Sequence, residues 1–260
     1  MAKNLSQPRP SSSIEEFYTA IHARMAQHES SNDTRPTIRE FVDTLSRFSV
    51  PPAGQALDAG CGGTAAVALA CASHGFSRVQ AIDINQDSLR RAKSLVGPVE
   101  GVIHLSCGSV LSLPFPDGTF DFAACVGVAH HTPDPEGVIV ELARVVKPRG
   151  RLYFSVYCFA DSWFERGVRA LRYLGARVPF GFMHRVSGKS QVMNNFVLDH
   201  MYVPTLWVFR AEEVRALLMR HGFSVLEEWA SSMDPFASHG WIGRQMSGDG
   251  LMRVWLCERR

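Results

Sequence analysis

The chain has 260 residues, of which 46% are hydrophobic and 20% are charged, with a formal net charge of +2. This composition is sufficient for one sizeable core, so an α/β domain with additions is expected, and the near-even charge demands neither a nucleic-acid nor a membrane partner. No apolar run reaches the roughly 18 residues of a membrane span, and the N-terminal segment MAKNLSQPRPSSS is predicted to be a short disordered lead rather than a signal peptide.

The six cysteines form no CxxC pair and have no metal-like spacing with histidine, so no metal site is expected. Most of them lie inside apolar stretches, where cysteine behaves as a small hydrophobe. Together with the missing export signal, this predicts free thiols and a cytoplasmic protein.

Two helices are predicted before the main domain. The first covers residues 13–29, where Ser13 and Glu16 have the spacing of a capping box. The second opens at Thr34 and Pro36 and carries an apolar stripe up to residue 48. Residues 1–50 are therefore interpreted as a tail and a helical cap.

From Gln55 the pattern changes to short apolar runs that alternate with helical stretches. Strands are predicted at 55–59, 79–83, 101–106, 120–126 and 151–157, and helices at about 64–74, 86–95 and 134–147. The last of these helices starts at Asp134 and Pro135, an N-cap followed by a first-turn proline, and is expected to end before Pro148 and Gly150. This alternation predicts a parallel sheet that is covered on both faces.

Residues 158–209 break the rhythm, because they are rich in aromatic residues and arginine and show no clear strand. A helix is predicted next, at 211–221, and two further strands at 224–230 and 251–258. The predicted organisation is a core at 51–157, a lid insert at 158–209 that binds the acceptor, and the rest of the core at 210–260.

The stretch ALDAGCGGTAA begins at residue 56 and raises the question of what approaches its glycines. Its spacing also fits the loose pattern of a dinucleotide-binding loop, which holds a pyrophosphate. A carboxylate at Asp58, at the end of the strand, would oppose phosphates but would favour a cationic ligand such as S-adenosylmethionine. Asp83, which ends the next strand, is placed to accept ribose hydroxyls under either interpretation, so Asp58 is the residue that discriminates.

From Ala56 to Tyr157 the chain resembles the class I S-adenosylmethionine-dependent methyltransferases, in particular the ubiquinone/menaquinone-biosynthesis-like (type 11) branch. Four stretches carry the resemblance, in the family's order: LDAGCGG, VQAIDINQDSLRRAK, LSLPFPDGTFDFAACVGVAHHTPDP and ELARVVKPRGRLYFSVY. The resemblance implies a doubly wound, seven-stranded Rossmann-like α/β sheet with an antiparallel last strand, and S-adenosylmethionine as cofactor. The residues that it implies at the cofactor site are Asp58, Gly60, Cys61, Gly62, Asp83, Ile84, Ser109, Val110 and Val126.

Two positions depart from the family's pattern. The third glycine of the loop is shifted by one place, to give Gly62-Gly63-Thr64, which should be tolerated at the start of a helix. Ser109 stands where the family often has an aspartate that holds the adenine amino group. A hydroxyl can still accept a hydrogen bond but carries no charge, so weaker or water-mediated adenine recognition is expected.

His130 and His131 follow the fourth predicted strand, where the ligand crevice of such a sheet opens. Neighbouring side chains in this turn point apart, so one histidine is expected to face the ligand. By resemblance that is His130, as a general base or a substrate contact, with His131 as a more architectural neighbour and second substrate-binding candidate. The alternative is that both histidines only hydrogen-bond the loop.

Candidates outside the core are Tyr18 and a cluster in the insert. By resemblance, Tyr18 would meet the cofactor's carboxylate, although it also fits the apolar stripe of its helix. The cluster lies in MNNFVLDHMYVPTLW, where it either binds the acceptor or packs the lid. Its candidate substrate-binding residues are Asp199, His200, Tyr202 and Trp207.

Residues 158–210 contain seven basic side chains against three acidic ones. A basic lid would attract an anionic acceptor, but the arginine spacing is equally typical of a solvated helix face.

The predicted function is methyl transfer from S-adenosylmethionine to an oxygen or nitrogen of a small molecule, in specialised metabolism. No nucleic-acid or membrane partner is expected. The alternatives are a methyltransferase acting on tRNA or a peptide, and a non-catalytic methyltransferase-like partner subunit. A nicotinamide oxidoreductase is disfavoured by Asp58.

Overall fold

The computed structural model describes residues 2–6, 34–99, 101–175, 178, 182, 198–231 and 252–260. Its strands are β1 Lys3–Asn4, β2 Gln55–Ala59, β3 Arg78–Asp83, β4 Ile103–Cys107, β5 Phe120–Val126, β6 Val146–Tyr157, β7 Trp207–Val208, β8 Phe223–Ala230 and β9 Met252–Arg259. The α-helices are α1 Arg35–Arg47, α2 Ala66–His74, α3 Gln86–Val96, α4 Pro135–Val145, α5 Trp163–Gly175 and α6 Ala211–Arg220. Short 3-10 turns cover Gly97–Val99 and Ala129–His131, and a π-helical turn covers Leu198–Tyr202.

The central sheet has seven strands in the order β4-β3-β2-β5-β6-β9-β8. Strand β2 pairs in parallel with β3 on one side and with β5 on the other. Strand β9 is antiparallel to both β6 and β8. The predicted doubly wound sheet with an antiparallel last strand is confirmed. Because the strand order reverses at β2 and β5, a crevice opens beyond their carboxyl ends.

Helices cover both faces of this sheet, as its nearly continuous apolar strands require. On one face, α4 and α6 pack through side chains such as Leu142 and Leu218 against Phe154 and Trp255. On the other face, α1, α2 and α3 pack against β2, β3 and β5, with Phe122 in their cluster. The carboxyl ends of the central strands are thereby held on a rigid base.

Side-chain caps fix the start of two helices next to the crevice. Asn85 Oδ1 accepts a hydrogen bond from Ser88 N at 2.8 Å at the start of α3, and Asp134 Oδ1 accepts one from Gly137 N at 2.9 Å at the start of α4. The Asp134 cap confirms the predicted start of α4.

The predicted end of α4 is wrong by two residues. The helix ends at Val145, and β6 begins at Val146 and takes in Pro148 and Gly150. The physical reason is burial: Val146 is 2% exposed and lies opposite Phe120 in the sheet. The apolar side chain gains more from that pairing than from another helical turn.

The N-terminal segment is not a disordered lead throughout. Strand β1 pairs antiparallel with β7, which also corrects the prediction that residues 158–209 contain no strand. Leu5 is 6% exposed, and its amide donates to Leu206 O at 2.7 Å. It packs in a third cluster with Tyr157 and the α5 side chain Phe164. The helix predicted at 13–29 lies outside the described residues.

The final hairpin is formed as predicted, by β8 and β9, with a bulge near residues 225–227. Among the described residues, no helix combines the length and the apolar character that crossing a membrane requires.

The packing of the N-terminal segment can be tested by Leu5→Ala. Removing this buried side chain should lower the free energy of unfolding by about 2–3 kcal/mol, since a cavity is left between β1 and α5. Urea unfolding of Leu226→Ala is the matched control, because Leu226 is 45% exposed and should change stability by less than about 0.5 kcal/mol. Equal effects of the two substitutions would contradict the packing of Leu5.

Candidate active site

A cavity of about 250 Å³ lies beyond the carboxyl ends of β2, β3, β4 and β5. Each of these strands ends in a segment that contributes to its wall. The described lining residues are Gly60, Gly62, Asp83, Ile84, Asn85, Ser88, Gly108, Ser109, Val110, Leu111, Val126, Gly127, Val128, His131, Thr132 and Pro133. The cavity therefore occupies the crevice that the strand order creates.

The glycine loop that follows β2 forms one wall, in a conformation that requires glycine. Gly60 has φ +89°, and a Cβ added there would overlap the side chain of Val128. Gly62 has φ +60° with open space beside it. Its amide donates to Asp83 Oδ2 at 2.8 Å, and Asn85 N donates to Asp83 Oδ1, also at 2.8 Å. The Asp83 carboxylate thus ties the two neighbouring loops together at the cavity edge.

Asp58 lies behind this loop rather than on the cavity surface. It is 2% exposed, and its Oδ2 accepts a hydrogen bond from Ala68 N at 2.9 Å in the first turns of α2. Burial raises the pKa of the Asp58 carboxyl to about 7, partly offset by this hydrogen bond. Instead of the direct ligand contact that we expected, the geometry gives Asp58 a role in holding the loop to α2 and in setting the local potential.

Four of the remaining cofactor-site candidates lie on the cavity wall: Ile84, Ser109, Val110 and Val126. Ser109 Oγ accepts a hydrogen bond from Leu111 N at 3.2 Å, so its hydroxyl proton can be donated to a ligand. Cys61 is buried at 7% exposure and does not line the cavity.

The histidine pair is arranged in the opposite way to our expectation. His131 lines the cavity, whereas His130 is fully buried behind it. The two rings do not point apart as expected: their centroids are 4.1 Å from each other. Tyr157 packs against the His130 ring on the buried side, with centroids 4.3 Å apart. In this geometry His131, and not the expected His130, is on the cavity lining.

His131 has a defined protonation state. Its Nδ1 lies 3.1 Å from Thr205 O, and because a carbonyl only accepts, Nδ1 carries the proton and Nε2 carries the lone pair. Burial lowers the pKa of His131 to about 4, and the positive charge of Arg172 adds to this, while the Thr205 carbonyl opposes it. His131 is therefore neutral near pH 7, and the Thr205 carbonyl fixes its tautomer.

His130 makes no hydrogen bond from either ring nitrogen within the described part of the chain. Burial holds its pKa well below the ordinary value, with further lowering by His131 and His200. It is a neutral ring that packs in an aromatic cluster.

Trp207, Tyr202 and His200, the described candidates of the insert, are not on the cavity lining. Trp207 Nε1 donates to Thr132 O at 3.1 Å and so holds the wall from outside. Tyr202 and His200 are each 2% exposed, and the Tyr202 hydroxyl donates to Val178 O at 2.9 Å. Asp199 belongs to the π-helical turn, but its side chain is not among the described ones, and Tyr18 lies outside the described residues.

Three of the seven basic side chains at 158–210 have internal partners. Arg169 pairs with Glu165, Arg210 pairs with Asp161, and Arg172 is buried against backbone carbonyls. These three therefore give little support to the expected attraction of an anionic acceptor.

The described lining contains one carboxylate and one imidazole but neither lysine nor arginine. Such a surface does not compensate the charge of a pyrophosphate, which speaks against a dinucleotide. It suits a cationic ligand with hydroxyl groups, since the Asp83 carboxylate is a negatively charged hydrogen-bond acceptor on the lining. The residues present thus fit S-adenosylmethionine.

Sequence reasoning missed Asn85 and Thr132 as lining residues. Asn85 comes two residues after Asp83, the last residue of β3, and caps α3. An asparagine just before a predicted helix is an N-cap pattern, and this pattern could have placed Asn85 at the end of the strand, beside the cavity. Thr132 carries no such signal, because its place depends on the packing of Trp207.

The buried carboxyl of Asp58 predicts a pH effect on stability. Its pKa is about 7 in the folded protein and 3.8 ordinarily, so ionisation penalises folding as the pH rises between these values. Asp58→Asn keeps an acceptor for Ala68 N but cannot ionise. The loss of unfolding free energy between about pH 5 and pH 8 should therefore be smaller in this variant, by about 1 kcal/mol or more.

Urea unfolding at the two pH values measures this difference, which is independent of any constant effect of the amide. Asp43→Asn, at an exposed position of α1, is the control. An identical pH dependence in wild type and Asp58→Asn would contradict the raised pKa.

Comparison with known proteins identifies the domain. A family model described as a methyltransferase domain matches residues 57–154. The demethylmenaquinone methyltransferase of Lysinibacillus sphaericus is 37% identical over 125 residues, 47% of this chain and 51% of the relative. The 24-methylenesterol C-methyltransferase 3 of Arabidopsis thaliana is 36% identical over 110 residues, 42% of this chain and 30% of the relative. The chain thus spans about half or less of the length of these relatives.

Among solved structures, geranyl diphosphate methyltransferase in complex with GPP and sinefungin is similar in fold, with a TM-score of 0.61 and 13% identity over 87% of this chain and 77% of that one. At this identity the likeness shows the fold alone. The sequence match makes residues 57–154 a methyltransferase domain, and the cavity geometry fits S-adenosylmethionine as its cofactor.

Proposed function

We propose that this protein transfers a methyl group from S-adenosylmethionine to an oxygen or nitrogen of a small, uncharged acceptor. The observation that carries the proposal is that the Asp83 carboxylate and the neutral His131 imidazole line the same cavity. The first fits a hydroxyl-bearing cationic cofactor, and the second fits an acceptor that must lose a proton. The missing lysine and arginine among the described lining residues favour an uncharged acceptor over an anion, a nucleic acid or an acidic peptide.

In this proposal each wall of the cavity has its own task. Asp83 accepts the cofactor's ribose hydroxyls, and the glycine loop lets the backbone approach its methionine part. Ser109 and the apolar residues Val110 and Val126 hold the adenine. When bound, S-adenosylmethionine supplies a methyl group that is already activated by its sulfonium. His131 Nε2 takes the proton of the acceptor, and its Nδ1–H bond to Thr205 keeps the ring in the required tautomer.

A carbon acceptor is the second candidate. Similarity to a sterol C-methyltransferase favours it, and a carbon nucleophile also gives up a proton, which His131 could accept. Product analysis after transfer of a labelled methyl group would distinguish ring carbon from hydroxyl methylation on the same hydroquinone probe.

We further propose that the insert at 158–209 acts as the lid over the acceptor and that the N-terminal part up to residue 50 acts as a cap. Free thiols at all six cysteines fit a reducing compartment such as the cytoplasm.

Cofactor binding is the first prediction of this proposal. Calorimetry should detect S-adenosylmethionine and S-adenosylhomocysteine but not NADH. Asp83→Ala should weaken both by about 10- to 100-fold, since hydrogen bonds to a charged group are lost. Asp87→Asn, an acid on α3 that pairs with Arg90 away from the cavity lining, is the control. Tight NADH binding, or equal binding by wild type and Asp83→Ala, would rule the proposal out.

The choice between the two histidines is the second prediction. His131→Gln should lower kcat by about 100-fold or more, because the proton acceptor is lost, whereas His130→Gln should leave most of the turnover. Initial rates would be measured with S-adenosylmethionine and acceptors from a panel of neutral phenols, hydroquinones and amines. Retained S-adenosylhomocysteine binding would show that each variant is folded. A large fall in kcat for His130→Gln alone would reverse the assignment.

A further inference from the structure

The guanidinium of Arg172 is buried, although the described core residues of its helix α5 pack in the third cluster and not on either face of the central sheet. The residue is 2% exposed, and its Nε donates to Leu5 O at 2.7 Å. Its Nη2 donates to Val203 O at 2.7 Å, and longer bonds of 3.4 Å reach the carbonyls of His200 and Pro204. One side chain therefore joins α5, the N-terminal segment and the chain just after the π-helical turn.

The segment that Arg172 holds leads directly to the cavity. The residue after Pro204 is Thr205, whose carbonyl accepts the Nδ1–H of His131 at 3.1 Å. Two residues further on, Trp207 donates to Thr132 O on the cavity wall. Residues 203–207 are thus fixed by Arg172 on one side and contact the cavity wall on the other.

We propose that Arg172 is a positioning residue for His131. By fixing residues 203–205 it places the carbonyl that selects the Nδ1–H tautomer, and its buried positive charge disfavours a second positive charge on the imidazole. This inference rests on the proposed function for its effect on turnover, but not for its effect on the histidine itself.

The electrostatic surroundings of His131 support a separable contribution from Arg172. Burial is the largest cause of the low pKa, and the charge of Arg172 lowers it further. Among the described residues, the other ionisable groups in this region include the neutral His130, with ring centroids 4.1 Å away, Tyr157 at 6.1 Å, His200 beyond Tyr157, and Asp83 on the cavity lining. Loss of the arginine charge should therefore raise the pKa of His131 while its burial remains.

The experiment compares Arg172→Gln and Arg172→Lys with the matched control Arg169→Gln, which alters an exposed arginine of the same helix. Ring nitrogen NMR of the full chain with S-adenosylhomocysteine gives the tautomer and titration of His131, without any need for turnover. Arg172→Gln should raise the titration midpoint and populate the Nε2–H tautomer. Arg172→Lys keeps the positive charge but lacks the planar guanidinium that donates to several carbonyls at once. It should therefore give a mixture of the two His131 tautomers, with little change in the titration midpoint of His131.

Kinetics with S-adenosylmethionine and a hydroquinone probe give the second readout. Arg172→Gln should lower kcat by about 10- to 100-fold and move the acid limb of its pH profile upward, because His131 must be neutral to accept a proton. Arg169→Gln should change neither readout. An unchanged tautomer and midpoint in a folded Arg172→Gln would overturn the inference, and should that variant not fold, an unchanged tautomer in Arg172→Lys would do so. Absence of cofactor binding or turnover by wild type would instead refute the proposed function.

Discussion

The site depends on one bracing interaction, in which the Asp83 carboxylate accepts the amides of Gly62 and Asn85. It is possible because β2 and β3 run parallel in a register that sets Ala59 beside Ile82, so both loops leave the sheet at the same edge. The carboxylate also lines the cavity, whose described lining residues include neither lysine nor arginine. The same residue therefore shapes the loop and offers a ligand the charge that the loop lacks.

A second acidic side chain, Asp58, lies behind the glycine loop and adds to the negative potential of the site when it is ionised. Asp58 is buried next to the brace, and Asp83 contributes to the rise of its pKa to about 7. A bound sulfonium or ammonium would relieve that repulsion, so binding of a cation and ionisation of Asp58 should favour each other. The same lining carries the imidazole of His131, which is neutral near pH 7. The cavity thus combines an anionic side chain with one that can only take up a proton.

The sequence was most informative where local signals act alone. The strand periodicity of QALDA and FDFAACV, the Asp134 cap and the glycine loop all led to elements that the structure contains. Failures came where distant residues decide. The sequence of the turn after β5 does not indicate which histidine packs against Tyr157 in the interior. Similarly, the residues around Lys3 and Leu5 give no local indication that they pair with a segment about two hundred residues away. The burial of Asp58 likewise depends on the start of α2.

This division between local and distant signals coincides with the two side chains, Asp83 and His131. The surroundings of Asp83 come from within the stretch that the methyltransferase family model matches. The fixing of His131 depends on Thr205, Arg172 and Leu5, all outside that match. In the proposed function, a cofactor site encoded by one continuous stretch can be kept while the surroundings of the acceptor are rebuilt from other parts of the chain. Relatives that share this stretch therefore inform the cofactor far better than the acceptor, and under this proposal the acceptor must be sought through the residues that hold His131.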